Sequence, residues 1–256
     1  MSLRLLVAPA DAGAQRAADA VTAALRGAVA ERGAGVLGIA TGGSPLRLYR
    51  ALGERVRAGA LHPLVLQGFL LDEYVGLPAG HRESYREVIR RDLQAHVPVP
   101  DDAVLGPDPT TGDHAAAAAA YEAAIAAAGG VDVQVLGIGA NGHLAFNEPG
   151  SPFDSRTRLV ELADRTRQDN ARFFGGDVAS VPATALTQGL ATIAEARELV
   201  LVATGAGKAA ALAAALEGPV DVACPASLVQ LHPRVTVVAD PGAAARLRHQ
   251  PAVTSR

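Results

Sequence analysis

Lysine is almost missing from this sequence. Of 23 basic residues only Lys208 is lysine, and the rest are arginine. Arginine serves wherever any cation will do, so the retained lysine marks a position that wants a compact, rotatable ammonium. Chance retention is the plain alternative. Cysteine is as scarce: Cys224 stands alone, which excludes an internal disulfide and fits a reducing compartment. Long apolar runs are missing too, since Gly, Pro or charge breaks each one, and no membrane span is expected. No tail or stripe carries one sign of charge; with a net charge of −3, nothing suggests a nucleic-acid or membrane partner. The opening "MSLRLLVAPADAG" meets an acid early and lacks the profile of a secretory signal. A cytoplasmic protein is the expectation.

What is present is enough apolar material for a core. Hydrophobic residues make up 49% of the 256 positions, which suits one large domain or two small ones. No linker, repeat or composition break divides the chain, so a single domain over residues 1–256 is expected. Strand-like runs cover 3–8, 35–40, 64–71, 131–138, 198–204 and 234–240. Most are nearly continuous in apolar residues, as parallel strands covered on both faces are. Helical patterns lie between them, at 12–32, 44–59, 84–97, 113–130 and 208–218. Ser44 is the expected N-cap of the second helix, with Pro45 at its first position. Alternating strand and helix predicts an α/β fold: a doubly wound, mostly parallel, Rossmann-like sheet. Residues 140 to about 182 break the pattern, and a long irregular segment in a compact domain reads as a lid or binding loop.

In such sheets ligands bind at the carboxyl ends of strands, and four strand ends carry chemistry. After residue 40 comes "TGGSP". Gly42 and Gly43 allow close backbone approach, Thr41 and Ser44 add hydroxyls, and the next helix aims free N–H groups at the loop, which suits a phosphate. A tight turn with an ordinary N-cap is the alternative. After residue 71 comes "DEYVGLP", where Asp72 and Glu73 point to opposite faces, so only one faces a given pocket. A solvated loop start is the other reading. After residue 136 comes "GIGANGHLAFNEPG". "GIGANG" fits the dinucleotide fingerprint in form, but His143, Asn147 and Pro149 follow too soon for the helix that fingerprint needs. A glycine-lined loop presenting His143, with Asn141 and Glu148 near it, suits an acid/base working near neutrality. After residue 204 comes "GAGKAA", which lacks the hydroxyl of a nucleotide P-loop and keeps a lysine at a helix start, an anchor for a phosphate that is not transferred. His62, His81, His96, His114, His232 and His249 show no metal-ligand spacing.

Together these stretches resemble the glucosamine-6-phosphate deaminase family. The similar segments are "TGGSPLRLYRAL", "LDEYVGLP" with "ESY", "GIGANGHLAFNEPGS", "SRTR", "TRQDNARFF", "VPATALT", "ATGAGKAAAL" and "LVQLHP", in the family's order from about residue 37 to 233. The resemblance implies conversion of glucosamine 6-phosphate to fructose 6-phosphate and ammonia, with no metal or organic cofactor. It implies Asp72 as the base between carbons 2 and 1. It gives His143 the opening of the sugar ring, with Glu148 and Asn141 tuning it. Phosphate falls to the Thr41–Ser44 loop, Arg172 and Lys208, and residues 160–182 correspond to the family's lid. The family includes monomers and hexamers, which leaves a homo-oligomer open.

Two positions depart from the family pattern. Asn141 stands where some members carry Asp; Asn can orient an imidazole but brings no charge, so an altered pH profile is expected. Allosteric members bind N-acetylglucosamine 6-phosphate through a cationic cluster; Arg158 and Ser151 match it, but Val160 stands in place of Lys and the terminal "HQPAVTSR" offers no tyrosine. Weak or absent activation is expected. The nearest rival is a sugar-phosphate lactonase of the 6-phosphogluconolactonase kind, which is expected to lack "LDEYVGLP". A non-catalytic sugar-phosphate sensor and a dinucleotide oxidoreductase are more distant alternatives.

Overall fold

The computed structural model describes residues 2–248. His249 and the terminal "HQPAVTSR" lie outside the described residues. Seven parallel strands form the main sheet: β1 (Ser2–Val7), β2 (Gly35–Ile39), β3 (Leu66–Leu70), β5 (Val104–Leu105), β6 (Val133–Leu136), β9 (Glu198–Ala203) and β10 (Arg234–Ala239). Their order across the sheet is β1-β10-β9-β6-β2-β3-β5. Every residue of β2 and β6 is buried, which is why these runs are apolar throughout instead of alternating. Edge strand β1 begins exposed and becomes buried only toward Val7.

Helices fill the connections. They are α1 (Ala10–Arg32), α2 (Gly43–Arg57), α3 (Tyr85–Ile89), α4 (His114–Ala127), α5 (Asp164–Asn170), α6 (Leu190–Ala194) and α7 (Ala209–Glu217). Of these, α1 and α2 are packed on the sheet. The expected starts hold for α4, where the Asp113 side chain accepts from Ala116 N at 2.9 Å. At α2 the start is earlier than expected. Gly42, at φ 108°, is the N-cap, and Ser44 lies one residue inside the helix. A positive φ of that size is open to glycine and strained elsewhere, so the chain turns into the helix before the serine. The 84–97 segment is α3 followed by a π-helical turn at Arg90–Gln94.

The sequence did not suggest a second sheet, and there is one. It is antiparallel, in the order β4-β8-β7, from β4 (Asp72–Val75), β8 (Thr184–Thr187) and β7 (Arg158–Glu161). "DEYV" is therefore a strand, not a loop start. The 140–182 segment is less irregular than expected, because β7 and α5 lie in it. A satellite apolar cluster explains both: Tyr74, Phe146, Leu162, Ala171, Val181 and Ala185 are buried together, with Val160 and Phe174 packed on them. Each strand of this small sheet contributes only a few apolar residues, too few to show a period in sequence.

Candidate active site

Strand order decides which chain segments meet. The connections from β2 run outward through β3 to β5, while β6, β9 and β10 build out on the other side. The order therefore reverses between β2 and β6, and a doubly wound sheet opens a crevice outside the carboxyl ends at such a point. The loops after β2 and β6 border that crevice, and those after β3 and β9 flank it. These are the four segments that carry Thr41–Ser44, Asn141–Glu148, Asp72 and Lys208.

The loop after β2 is built to meet an anion. Among the described residues no side chain caps α2, and its first turn holds no acid. Free N–H groups and the positive end of the helix dipole thus face the loop. Gly42 and Gly43 are exposed and Thr41 half-buried. The Ser44 hydroxyl lies 2.9 Å from that of Thr204, which ties this loop to the end of β9. There Gly205 donates its N–H to Asp240 Oδ2 at 2.9 Å, fixing the turn Ala206–Lys208 that presents the lysine. Burial draws the half-buried Lys208 ammonium below its ordinary pKa; Asp169 opposes that and Arg172 adds to it. The charge of Arg172, in the turn Ala171–Phe173, is thus felt at Lys208. A bound anion would offset the like charges of Lys208 and Arg172, which Asp169 already offsets in part.

The Asp72–Glu73 pair separates cleanly. Glu73 accepts backbone N–H groups from Tyr74, Tyr85 and Arg86, each at 2.8 Å. It is a structural clasp between β4 and the start of α3. Asp72 is 5% exposed, and among the described residues nothing donates a hydrogen bond to its carboxylate. Burial, with the charge of Glu73 added, pushes its carboxyl well above the usual range. A buried, unheld carboxylate with raised proton affinity is what proton abstraction from carbon requires.

After β6 the chain makes a compact loop. Gly139 N donates to His143 O at 3.0 Å, and a Cβ at Gly139 would stand 2.4 Å from the His143 ring. That glycine leaves room for the imidazole, so the fingerprint-like "GIGANG" serves a histidine and not a pyrophosphate. Asn141 Oδ1 accepts from His143 N at 3.2 Å, and its Nδ2 donates to Glu148 Oε2 at 2.7 Å. His143 Nδ1 lies 3.7 Å from the same Oε2, an ion-pair distance longer than a hydrogen bond, and has no hydrogen-bond partner among the described residues. The Thr166 hydroxyl donates to Glu148 Oε1. Burial pushes the Glu148 carboxyl up, but neighbouring His143, Thr166 and Asn141 outweigh it and bring it down to about 2.

Asp72 and the His143 loop are joined through β8. Thr187 stands opposite Asp72 in register, and its hydroxyl accepts from Phe146 N at 3.2 Å. Ring contacts of Tyr74 and Tyr85 with Phe146, at 5.5 and 5.8 Å, close the same junction. Thr166, Thr187 and Tyr85 were not singled out by sequence reasoning. Each lies inside or beside a matching stretch, but only the folded geometry shows what it touches. Two cavities, of about 420 and 240 Å³, lie near the amino ends of β6 and β9, lined by residues such as Val131, Ala196 and Asp132, and hold none of these groups. Among the described residues no cluster of three or more His, Cys, Asp or Glu could hold a metal, and no helix is long and apolar enough to cross a membrane.

Comparison with known proteins points the same way. A family model described as glucosamine-6-phosphate isomerases/6-phosphogluconolactonase matches residues 8–238. A glucosamine-6-phosphate deaminase of Streptomyces coelicolor is 50% identical over 244 residues, 95% of this chain and 92% of the relative. The solved structure of a monomeric glucosamine-6-phosphate deaminase superposes with a TM-score of 0.89 at 35% identity, covering 96% of this chain and all of the other. A 6-phosphogluconolactonase from Trypanosoma cruzi superposes at a TM-score of 0.76 with 21% identity, over 97% of this chain and 98% of the other, a likeness of fold alone.

Proposed function

The chain belongs to the glucosamine-6-phosphate isomerase/6-phosphogluconolactonase family, and from that premise we propose that it is a glucosamine-6-phosphate deaminase. Glucosamine 6-phosphate and water give fructose 6-phosphate and ammonia. The observation that carries this is the pairing, around one crevice, of an anion cradle with two distinct proton-transfer groups. The Thr41–Ser44 loop, Arg172 and Lys208 hold the phosphate. Its binding energy fixes the reacting carbons without contact to them.

His143 moves the proton between the ring oxygen and the C1 oxygen as the pyranose opens. Protonation at Nδ1 aims that donor at Glu148 and leaves Nε2 for the sugar. Asp72 takes the C2 proton of the open-chain amino aldehyde as the C1 oxygen gains a proton, giving an enolamine. It then returns the proton to C1. The C2 imine that results is hydrolysed by water, which releases ammonia and leaves the 2-ketose. A positioned acid or base contributes about 10²–10⁴-fold to such a step.

We treat residues 1–256 as one catalytic domain, with 160–182 as its lid, because the groups assigned here run from Thr41 to Lys208. A phosphorylated amino sugar is retained inside cells by its charge, which supports a cytoplasmic location. Ammonia release from glucosamine 6-phosphate, measured by a coupled assay beside hydrolysis of 6-phosphogluconolactone, is the direct test. Ammonia with fructose 6-phosphate is the expected result. Lactone hydrolysis without ammonia would replace this assignment with the lactonase.

A further inference from the structure

Arg172 is delivered by a short, exposed segment, and what holds that segment is a polar contact the reaction itself does not use. At the end of α5, Asn170 donates its Nδ2 to the Tyr74 hydroxyl at 2.9 Å. Tyr74 is buried on β4, two residues from Asp72. Its hydroxyl also receives that of Tyr85 at 3.4 Å, and the Tyr85 hydroxyl meets the Thr41 side chain in the phosphate loop. The Phe174 ring stands edge-on to Tyr74 at 5.8 Å. The turn bearing Arg172 is thus bracketed by Asn170 and Phe174, and both rest on one tyrosine. Arg172 itself is exposed and lies 4.7 Å over the Phe173 ring. Its charge is felt at Lys208 with the same sign, and Asp169 on α5 acts on Lys208 with the opposite one.

We propose that Asn170 and Tyr74 form a latch that positions the Arg172 turn at the phosphate end of the site. They are positioning residues: neither touches the reacting carbons. This inference rests on the assignment of Arg172 to the phosphate. A latch of this kind assists capture of the phosphate and leaves the proton transfers alone. Its loss should therefore appear mainly in KM and only slightly in kcat.

The test measures kcat and KM for glucosamine 6-phosphate, and competitive inhibition by inorganic phosphate, in Asn170→Ala, Tyr74→Phe, the double variant and Arg172→Ala. Removing one neutral hydrogen bond should raise KM and the phosphate inhibition constant about three- to tenfold, with kcat within about twofold of the parent. The double variant should be no worse than the poorer single one, because both remove the same contact. A fall in kcat with KM unmoved overturns the latch. So does an unchanged inhibition constant in both single variants while Arg172→Ala raises it; the phosphate assignment then stands alone. If Arg172→Ala leaves phosphate inhibition unchanged, that assignment fails and takes the latch with it.

Discussion

Asp72 and Glu148 are displaced in opposite directions, and each displacement has a measurable sign. The Asp72 carboxyl is raised by burial and by Glu73. Its contribution to stability is complete below its unfolded pKa and is lost as pH rises through the folded one. The ionised base thus costs stability in the range where it works. Asp72→Asn is expected to cut kcat by about 10²–10⁴-fold and to raise the thermal midpoint at alkaline pH more than at acid pH. A midpoint gain independent of pH would contradict the buried-charge account. For the parent, the acid limb of the kcat/KM profile should lie above the ordinary carboxylate range. Glu148 is the reverse case, lowered from 4.5 to about 2. Its stabilisation is present above 4.5 and is lost as pH falls toward 2. Acid denaturation of Glu148→Gln should be flatter over that interval. Asn141 gives a third test at this scale. Its amide donates to Glu148 Oε2, which an aspartate cannot do, so Asn141→Asp sets two carboxylates against each other. The pH–rate curve should move substantially, and an unmoved one would reject the role.

At the scale of elements, the loop after β6 is the most constrained. Gly139→Ala places a methyl where the His143 ring now lies, and the backbone N–H of Gly139 anchors His143 O. The ring must shift, and a misplacement of about 1 Å costs roughly 10²-fold in rate. The expected variant folds, with a melting curve near the parent's, and has lost most of its kcat. Retained turnover would show that the imidazole is free to move. The α2 start teaches a related lesson. Ser44 and Pro45 form a good cap signal, yet the helix begins at Gly43 because Gly42 accepts a backbone angle serine would not. The serine hydroxyl is left for Thr204. The cap signal was legible; its use was not, because it depends on a residue 160 positions away in sequence.

At the scale of the whole molecule, the second sheet holds the positions at which the family resemblance bears on regulation. Arg158 on β7 gives its guanidinium to Asn147 Oδ1 at 2.9 Å and Ser151 Oγ at 3.3 Å. Two residues on, Val160 packs against the satellite cluster around Tyr74 and Phe146. Where allosteric members carry a cation, this chain has an apolar contact. Initial-rate curves with glucosamine 6-phosphate should therefore be unchanged by N-acetylglucosamine 6-phosphate. Sigmoidal curves made hyperbolic by that compound would show an effector site that works without the lysine.

The sequence by itself determined the parallel sheet, because strands buried on both faces must be apolar at every position and such runs cannot be hidden. It also made the candidate groups at the strand ends legible, above all Gly139, His143 and Glu148, which sit in a stretch without helical or strand pattern. Residue pattern left Asp72 and Glu73 open and only the family resemblance favoured Asp72; the physical reason is tertiary, since three backbone N–H groups from two different elements occupy Glu73. The second sheet and the hold on Glu148 by Thr166 were likewise left to tertiary structure. These are contacts between segments far apart in the chain, each made of a few atoms, and no local pattern of residue types encodes which partner will arrive.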